Sequence, residues 1–257
     1  MRKLLTFLIA LAAVAFVNVS APAQAFGCNG WPQLAGGNGC NSSIVAPVGG
    51  TLALSHIASA AASTATNTAT WTNMSIGTAA GFTTRRIIVS FSSVSGIGAS
   101  SLTGVTIQGL IATVHISTFA NVWEAIASVD VPTGTTATIV ATFGSNIFSV
   151  PRADTYSVDD ALLLSTTPNT GSGTGAATTS ITTSAYNQTS GGFVIAAGTI
   201  DTAPTGLVVT GFTTDFGGGT ARNISASLTS GLVTGSSIAT MTWAGSASGG
   251  LVATAWR

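Results

Sequence analysis

Short runs in which apolar residues alternate with threonine or serine recur along the chain, and this alternation constrains the fold most strongly. In residues 137–143, the Ala, Ile, Ala and Phe positions fall on one side of an extended chain, opposite Thr, Val and Thr. Residues 123–130 and 239–243 alternate similarly. This period of two is typical of antiparallel sheet with one buried face. Threonine suits the wet face, because its β-branched side chain favours strand geometry.

The apolar runs are separated by Gly, Pro, Asn and Ser, and no run after residue 30 has a helical period. We therefore predict an all-β fold: a single antiparallel β-sandwich over residues 70–257, in jelly-roll or Greek-key-like order. Two smaller immunoglobulin-like sandwiches, divided near residues 166–176, are the alternative. The predicted strands are residues 70–76, 85–92, 104–107, 112–117, 122–129, 137–143, 147–150, 161–164, 178–183, 193–200, 207–212, 223–228, 238–243 and 251–256.

Residues 1–25 have the organisation of a secretory signal peptide. Arg2 and Lys3 precede an apolar run over residues 4–17, and Ala23, Gln24 and Ala25 form an A-x-A cleavage site. The run is shorter than the roughly 20 apolar residues that a membrane-spanning helix needs. We expect cleavage, no stable membrane anchor, and a mature protein that is secreted or displayed at the cell surface, with a virion as a further location.

Residues 26–69 are predicted to form a disulfide loop followed by a polar segment. Cys28 and Cys40 are the only cysteines, and two nearby cysteines usually pair in an exported chain. Free thiols and a metal site that includes His56 are the alternatives. Residues 58–69, built from Ala, Ser, Thr and Asn, are interpreted as a linker or a weak outer strand.

Charged residues make up only 5% of the chain, with 7 Lys and Arg against 7 Asp and Glu. A chain without a basic surface cannot neutralise a phosphate backbone, so nucleic acid is excluded as a partner. A neutral surface of hydroxyl groups instead favours self-association, contact with other structural subunits, or binding of neutral glycans.

Few residues are suited to catalysis, and we predict no catalytic residues, no cofactor and no enzymatic activity. His115 is interpreted as a half-exposed sheet histidine, and no G-x-S-x-G motif is present. A secreted hydrolase remains an alternative, which requires His115 to lie close to a serine and an aspartate in a cleft.

Two groups of residues are candidates for binding. Asp154, Asp159 and Asp160 lie in the most charged stretch, interpreted as a solvated loop, and form a calcium candidate. Trp31 and Trp71 are candidates for an exposed ligand contact, because tryptophan can stack on sugar rings.

Trp123 and Trp243 occupy apolar positions of alternating strands and are predicted to lie in the core. Arg85 and Arg86 open a strand and are interpreted as edge charges that limit sheet pairing.

Three motifs resemble those of a loosely defined group of phage- and prophage-encoded β-sandwich proteins of bacteria. These are VTIQG at residues 105–109, VPTGTTATIVATF at residues 131–143 and VATAWR at residues 252–257. The resemblance covers about residues 70–257 and implies a structural, virion-associated role. The predicted function is an exported, non-enzymatic β-sandwich with a structural or surface-display role, such as that of a phage-related virion or appendage protein. A carbohydrate-binding or adhesive module is the main alternative.

Overall fold

Every regular element of the described residues is a β-strand, and all pairings between strands are antiparallel. The computed structural model describes residues 52–65, 67–79, 84–94, 102–146, 149–159 and 164–257. Within these ranges no helix has the length and apolar character needed to cross a membrane. The all-β, antiparallel fold predicted from the alternating runs is confirmed.

The described residues form seventeen strands in three sheets. In chain order they are β1 Leu54–Ala61, β2 Ser63–Ala65, β3 Thr68–Ser75, β4 Arg85–Ser93, β5 Leu102–Ile107, β6 Leu110–Phe119, β7 Trp123–Asp130, β8 Thr136–Phe143, β9 Arg152–Asp159, β10 Asn169–Thr182, β11 Tyr186–Gln188, β12 Phe193–Ile200, β13 Thr205–Val209, β14 Thr213–Gly217, β15 Asn223–Leu228, β16 Gly235–Ser237 and β17 Thr240–Trp256.

The first sheet curls until it is nearly closed. Its strand order is β1-β9-β4-β7-β6-β5-β8-β3-β2, and the two terminal strands of this order are consecutive in sequence, separated by Ala62. One extended segment therefore pairs with β9 through its first part and with β3 through its second. The concave side encloses a core that includes Trp71, Phe91, Trp123 and Phe143.

The second sheet has the order β10-β17-β12-β15-β14, with β13 also paired to β17, while β11 and β16 form a separate two-stranded sheet. Strands β10 and β17 are long, and their ladder contains two irregularities between Gly175 and Ser180. After these irregularities, residues at the end of β10 lie close to residues near its start. A Cβ at Gly173 would lie 2.1 Å from the carbonyl oxygen of Thr182. Glycine at this position permits the approach.

The two large sheets pack face to face through a third group of buried residues. The convex face of the first sheet contributes Ile88, Ile126, Tyr156 and Val158, and the second contributes Phe193, Ile195, Val252 and Trp256. Strands β4, β7 and β9 are therefore buried on both faces. The side chains of β7 alternate between the enclosed core and this layer, with Trp123 on the first face and Ile126 on the second.

The first sheet begins before residue 70, since residues 58–69 contribute to β1, β2 and β3. Residues 166–176, proposed as a divide between two sandwiches, include the first half of β10. Contacts group all described residues into one unit, Pro47–Arg257. The strands predicted at residues 147–150 and 161–164 lie partly outside the described residues, and their described positions are not in strands.

Candidate functional site

The structure describes only one of the two predicted ligand contacts, and that residue does not lie at the surface. Cys28, Cys40 and Trp31 lie outside the described residues. Trp71 was predicted to be exposed and is buried, with 2% of its surface accessible. It faces the enclosed core, 5.3 Å from the ring of Phe91, and its indole N–H donates to the carbonyl of Ala60 at 3.1 Å. The curl of the first sheet covers this side chain. The alternation of residues within a single strand does not reveal that curl.

The acidic segment was interpreted as a solvated loop, and this interpretation is wrong. Residues Arg152–Asp159 form strand β9, which lies between β1 and β4. Asp154 is 2% exposed, and Asp159 lies on the opposite face of the strand because the two residues are five positions apart, an odd number. Asp160 lies outside the described residues, within which no group of three or more His, Cys, Asp or Glu side chains could hold a metal ion.

Strand β9 instead contributes polar side chains to the layer between the sheets. The hydroxyl of Tyr156 donates to Oδ2 of Asp215 at 3.0 Å and shares a hydrogen bond with Ser225, which bonds to Ser90 at 3.0 Å. Burial raises the pKa of Asp215, and it raises the pKa of Tyr156 well above its ordinary value. These bonds connect the first sheet to β14 and β15, and they satisfy buried hydroxyl groups.

His56 belongs to the same region but does not form a catalytic triad. Its Nε2 lies 3.2 Å from Oγ of Ser59 and 3.7 Å from Oδ1 of Asp154. The Ser59 hydroxyl donates to Asp154. A triad needs the imidazole between the serine and the carboxylate, so that the carboxylate orients the base. Here the serine proton is held by the carboxylate, which favours a structural role.

The second histidine, His115, lies in a pocket on the convex face of the first sheet. The ladder between β6 and β7 shifts register between Val114 and Ile116, which makes His115 the extra residue of a β-bulge. A bulge redirects a side chain, and His115 consequently reaches Ser128 of β7, with 2.7 Å between Nε2 and Oγ. The ring of Trp256 lies edge-on to the imidazole, at 5.6 Å.

We call this the His115 pocket; its polar lining consists of Arg86, Thr113, His115, Ser128, Asp130 and Thr166. The strand registers bring these residues together, because Thr113 of β6 lies opposite Ser128 of β7 and Arg86 of β4 lies opposite Asp130 of β7. Nε and Nη2 of Arg86 donate to the two carboxylate oxygens of Asp130, at 2.7 and 3.1 Å. Burial, followed by the charge of Arg86, lowers the pKa of His115 to about 4, so the imidazole is neutral at pH 7.

The pocket therefore has part of the arrangement that the hydrolase alternative requires. His115 bonds to a serine, and Asp130 lines the same pocket. The Asp130 carboxylate, however, is bonded to Arg86 in bidentate geometry. An imidazole with a pKa of about 4 is also a weak base, because burial and the Arg86 charge both destabilise the imidazolium that proton transfer would form.

Arg85 differs sharply from its neighbour Arg86. It was interpreted as an edge charge, but β4 is an internal strand and Arg85 is completely buried. Its guanidinium donates to four carbonyl groups, those of Gly77, Val131, Thr133 and Gly134, at 2.8–3.1 Å. Arg85 thus stabilises the loops at one end of the curled sheet.

Comparison of the chain with protein-family models, with curated proteins and with solved structures finds no match. The resemblance to phage-encoded β-sandwich proteins therefore stays a prediction. The geometry of the described residues is the basis for the functional proposals that follow.

Proposed function

We propose that the chain is an exported, non-enzymatic β-sandwich protein that has a structural or surface-display role through a neutral surface. The observation that carries this proposal is the distribution of charge. Among the described residues, the exposed charged side chains are Asp130, Arg222 and Arg257, and Asp130 is paired with Arg86. A surface with so little charge has weak electrostatic repulsion between copies and favours association.

Exposed apolar side chains support subunit contacts in the same way. Leu110 and Ile111 adjoin the turn of the β5–β6 hairpin, and they are 43% and 86% exposed. Two neighbouring apolar side chains at an accessible hairpin supply apolar area that contact with another subunit would remove from water.

Export and a virion or appendage location rest on the sequence. The signal-peptide pattern of residues 1–25 supports export, and the three motifs supply the phage-related part of the proposal. Burial of Trp71 removes one of the two aromatic contacts on which the adhesive alternative depended. Partners expected under this proposal are further copies of the chain or other structural subunits.

Sedimentation velocity of the purified protein tests the structural role. We expect oligomers whose size is the same in about 0.05 M and about 1 M NaCl, because there is little surface charge for salt to screen. Ile111→Asp is expected to reduce the oligomer fraction. Thr138→Asp adds the same charge at an exposed position of β8 and should retain a larger oligomer fraction than Ile111→Asp does. A monomer under all conditions would contradict the proposal.

The absence of enzymatic activity needs a separate measurement. A fluorophosphonate probe reacts with activated serine nucleophiles, so we expect no labelling of Ser128, whose neighbouring imidazole is a weak base. Labelling that disappears in both Ser128→Ala and His115→Gln would replace the structural proposal with the hydrolase alternative.

A further inference from the structure

We propose that the His115 pocket binds a single neutral sugar residue, held by hydrogen bonds to its hydroxyl groups. This proposal goes beyond the structural role and does not depend on it, because a monomer and an oligomer would both carry the pocket. It also differs from the aromatic stacking expected at Trp31 and Trp71, since it uses residues of β4, β6 and β7.

The charge of the pocket selects a neutral ligand. The bidentate pair leaves no net charge on Arg86 and Asp130 together, and the imidazole of His115 is uncharged at pH 7. An anion would meet the Asp130 carboxylate, and a cation would meet the guanidinium of Arg86. A ligand without charge avoids both repulsions.

The hydrogen-bonding groups of the pocket match a polyhydroxylated ligand. Asp130 is 53% exposed, so its carboxylate oxygens retain accessible lone pairs besides those that accept from Arg86. The guanidinium of Arg86 has five N–H donors, of which three are used by Asp130 and the carbonyl of Ser165. Hydroxyl groups of Thr113 and Thr166 add groups that both donate and accept. Neighbouring sugar hydroxyls, which also donate and accept, can use such a mixed set.

The shape of the pocket limits the affinity for this ligand. The pocket is open to solvent on one side, and the adjacent Trp256 is buried behind His115, with 1% of its surface exposed. The ring is therefore not available as a stacking platform. Binding that relies on hydrogen bonds alone is expected to be weak, with a Kd of about 1–10 mM for a monosaccharide.

The experiment is a saturation-transfer NMR measurement on the full-length protein with glucose, galactose, mannose and N-acetylglucosamine, each up to about 50 mM. We expect transfer to at least one sugar, together with a shift of the C2 proton resonance of His115. Inorganic phosphate has no carbon-bound protons, so it is followed through the His115 resonance alone, which it should not shift at constant pH. Absence of transfer to all four sugars at this concentration, or a larger shift of the His115 resonance with phosphate than with any sugar, would overturn the proposal.

Variants connect the response to the pocket. Asp130→Asn should reduce sugar binding at least fivefold and, because it leaves the Arg86 charge uncompensated, should introduce phosphate binding. Thr166→Ala should weaken sugar binding without affecting phosphate. The control is Asp201→Asn, which changes a carboxylate that does not line the pocket and should bind sugar as the parent protein does. Unchanged binding in Asp130→Asn and Thr166→Ala, with native thermal unfolding, would place the sugar elsewhere and refute the assignment.

Discussion

Glu124 provides the sharpest test of the energetics of the layer between the sheets. It lies on β7 and is completely buried, and neither carboxyl oxygen has a hydrogen-bond partner within the described residues. The hydroxyl group of Thr199 favours the ionised form of Glu124, but its Oγ1 also lacks a hydrogen-bond partner of acceptable geometry. Space for the carboxyl group comes from Gly250, where a Cβ would lie 2.2 Å from Oε2.

Burial raises the pKa of Glu124 well above its ordinary value of 4.5, and this shift determines the pH dependence. The folded protein binds the proton more tightly than the unfolded chain does. The contribution of Glu124 to stability is therefore fully present below pH 4.5 and is lost as the pH rises through the folded-state pKa. Each tenfold difference in proton affinity is worth about 1.4 kcal/mol.

Glu124→Gln keeps the shape of the side chain and removes its titration. Because an unpaired buried carboxylate costs several kcal/mol, we expect Glu124→Gln to raise the free energy of unfolding by about 2–4 kcal/mol at about pH 8. Near pH 4 the variant and the parent should be similar, since both side chains are then neutral. His115 acts in the opposite direction between pH 6.5 and about 4, but it is common to both proteins and cancels in the difference.

The assay is urea unfolding followed by tryptophan fluorescence at a series of pH values between about 4 and 8. Trp123, the neighbour of Glu124, is itself buried and should report the transition. Asp201→Asn, at a half-buried carboxylate whose Oδ1 accepts from the backbone N–H of Ser248, serves as the control and should not be stabilised at pH 8. The explanation would be refuted if Glu124→Gln were no more stable than the parent at pH 8, or if its advantage were independent of pH.

Two further substitutions test close packing and buried hydrogen bonding. Gly250→Ala should destabilise the protein by about 1–3 kcal/mol, because its Cβ would overlap the Glu124 carboxyl group. In urea unfolding of Gly250→Ala, Glu124→Ala and the double variant, the Gly250→Ala change should cost less stability in the Glu124→Ala background than in the parent protein. Equal costs in the two backgrounds would count against the clash. Arg85→Lys should lower the free energy of unfolding by at least about 2 kcal/mol in thermal or urea unfolding, because an ammonium group cannot reproduce donation to four carbonyls. The control, Arg222→Lys at an exposed arginine, should change the free energy of unfolding very little.

The alternating runs predicted much of the fold because each strand carries the pattern within itself. Strands β12 and β15 have the bounds predicted for residues 193–200 and 223–228. In β8, Ala137, Ile139 and Phe143 are buried as the period of two required. Burial of Trp123 and Trp243 is confirmed for the same reason. Here one strand and its own periodicity contain enough information to assign the buried face.

Strand β9 was missed because its polar residues are stabilised by groups distant in sequence. Asp154 and Tyr156 look like parts of a solvated segment, but their partners include Ser59 on β1 and Ser225 on β15. The first half of β10 was not predicted as a strand for a related reason: residues 166–176 were considered only as the divide of the alternative with two sandwiches, whereas Gly173 allows close approach of residues after the bulges. Neither tertiary contact leaves a periodic pattern in the local sequence.

The His115 pocket depends on both kinds of information. His115 was expected to be a half-exposed sheet histidine, but the bulge that directs it toward Ser128 depends on the register between β6 and β7. The low content of charged residues predicted a neutral surface but not the positions of the charges that remain. Several are internal, including Arg85, Glu124 and Asp154, and Arg86 is paired with Asp130. Because the pocket contains both members of that pair, it offers strong hydrogen-bonding groups without net charge. This combination suits a neutral hydroxylated ligand on a surface that carries few other charges.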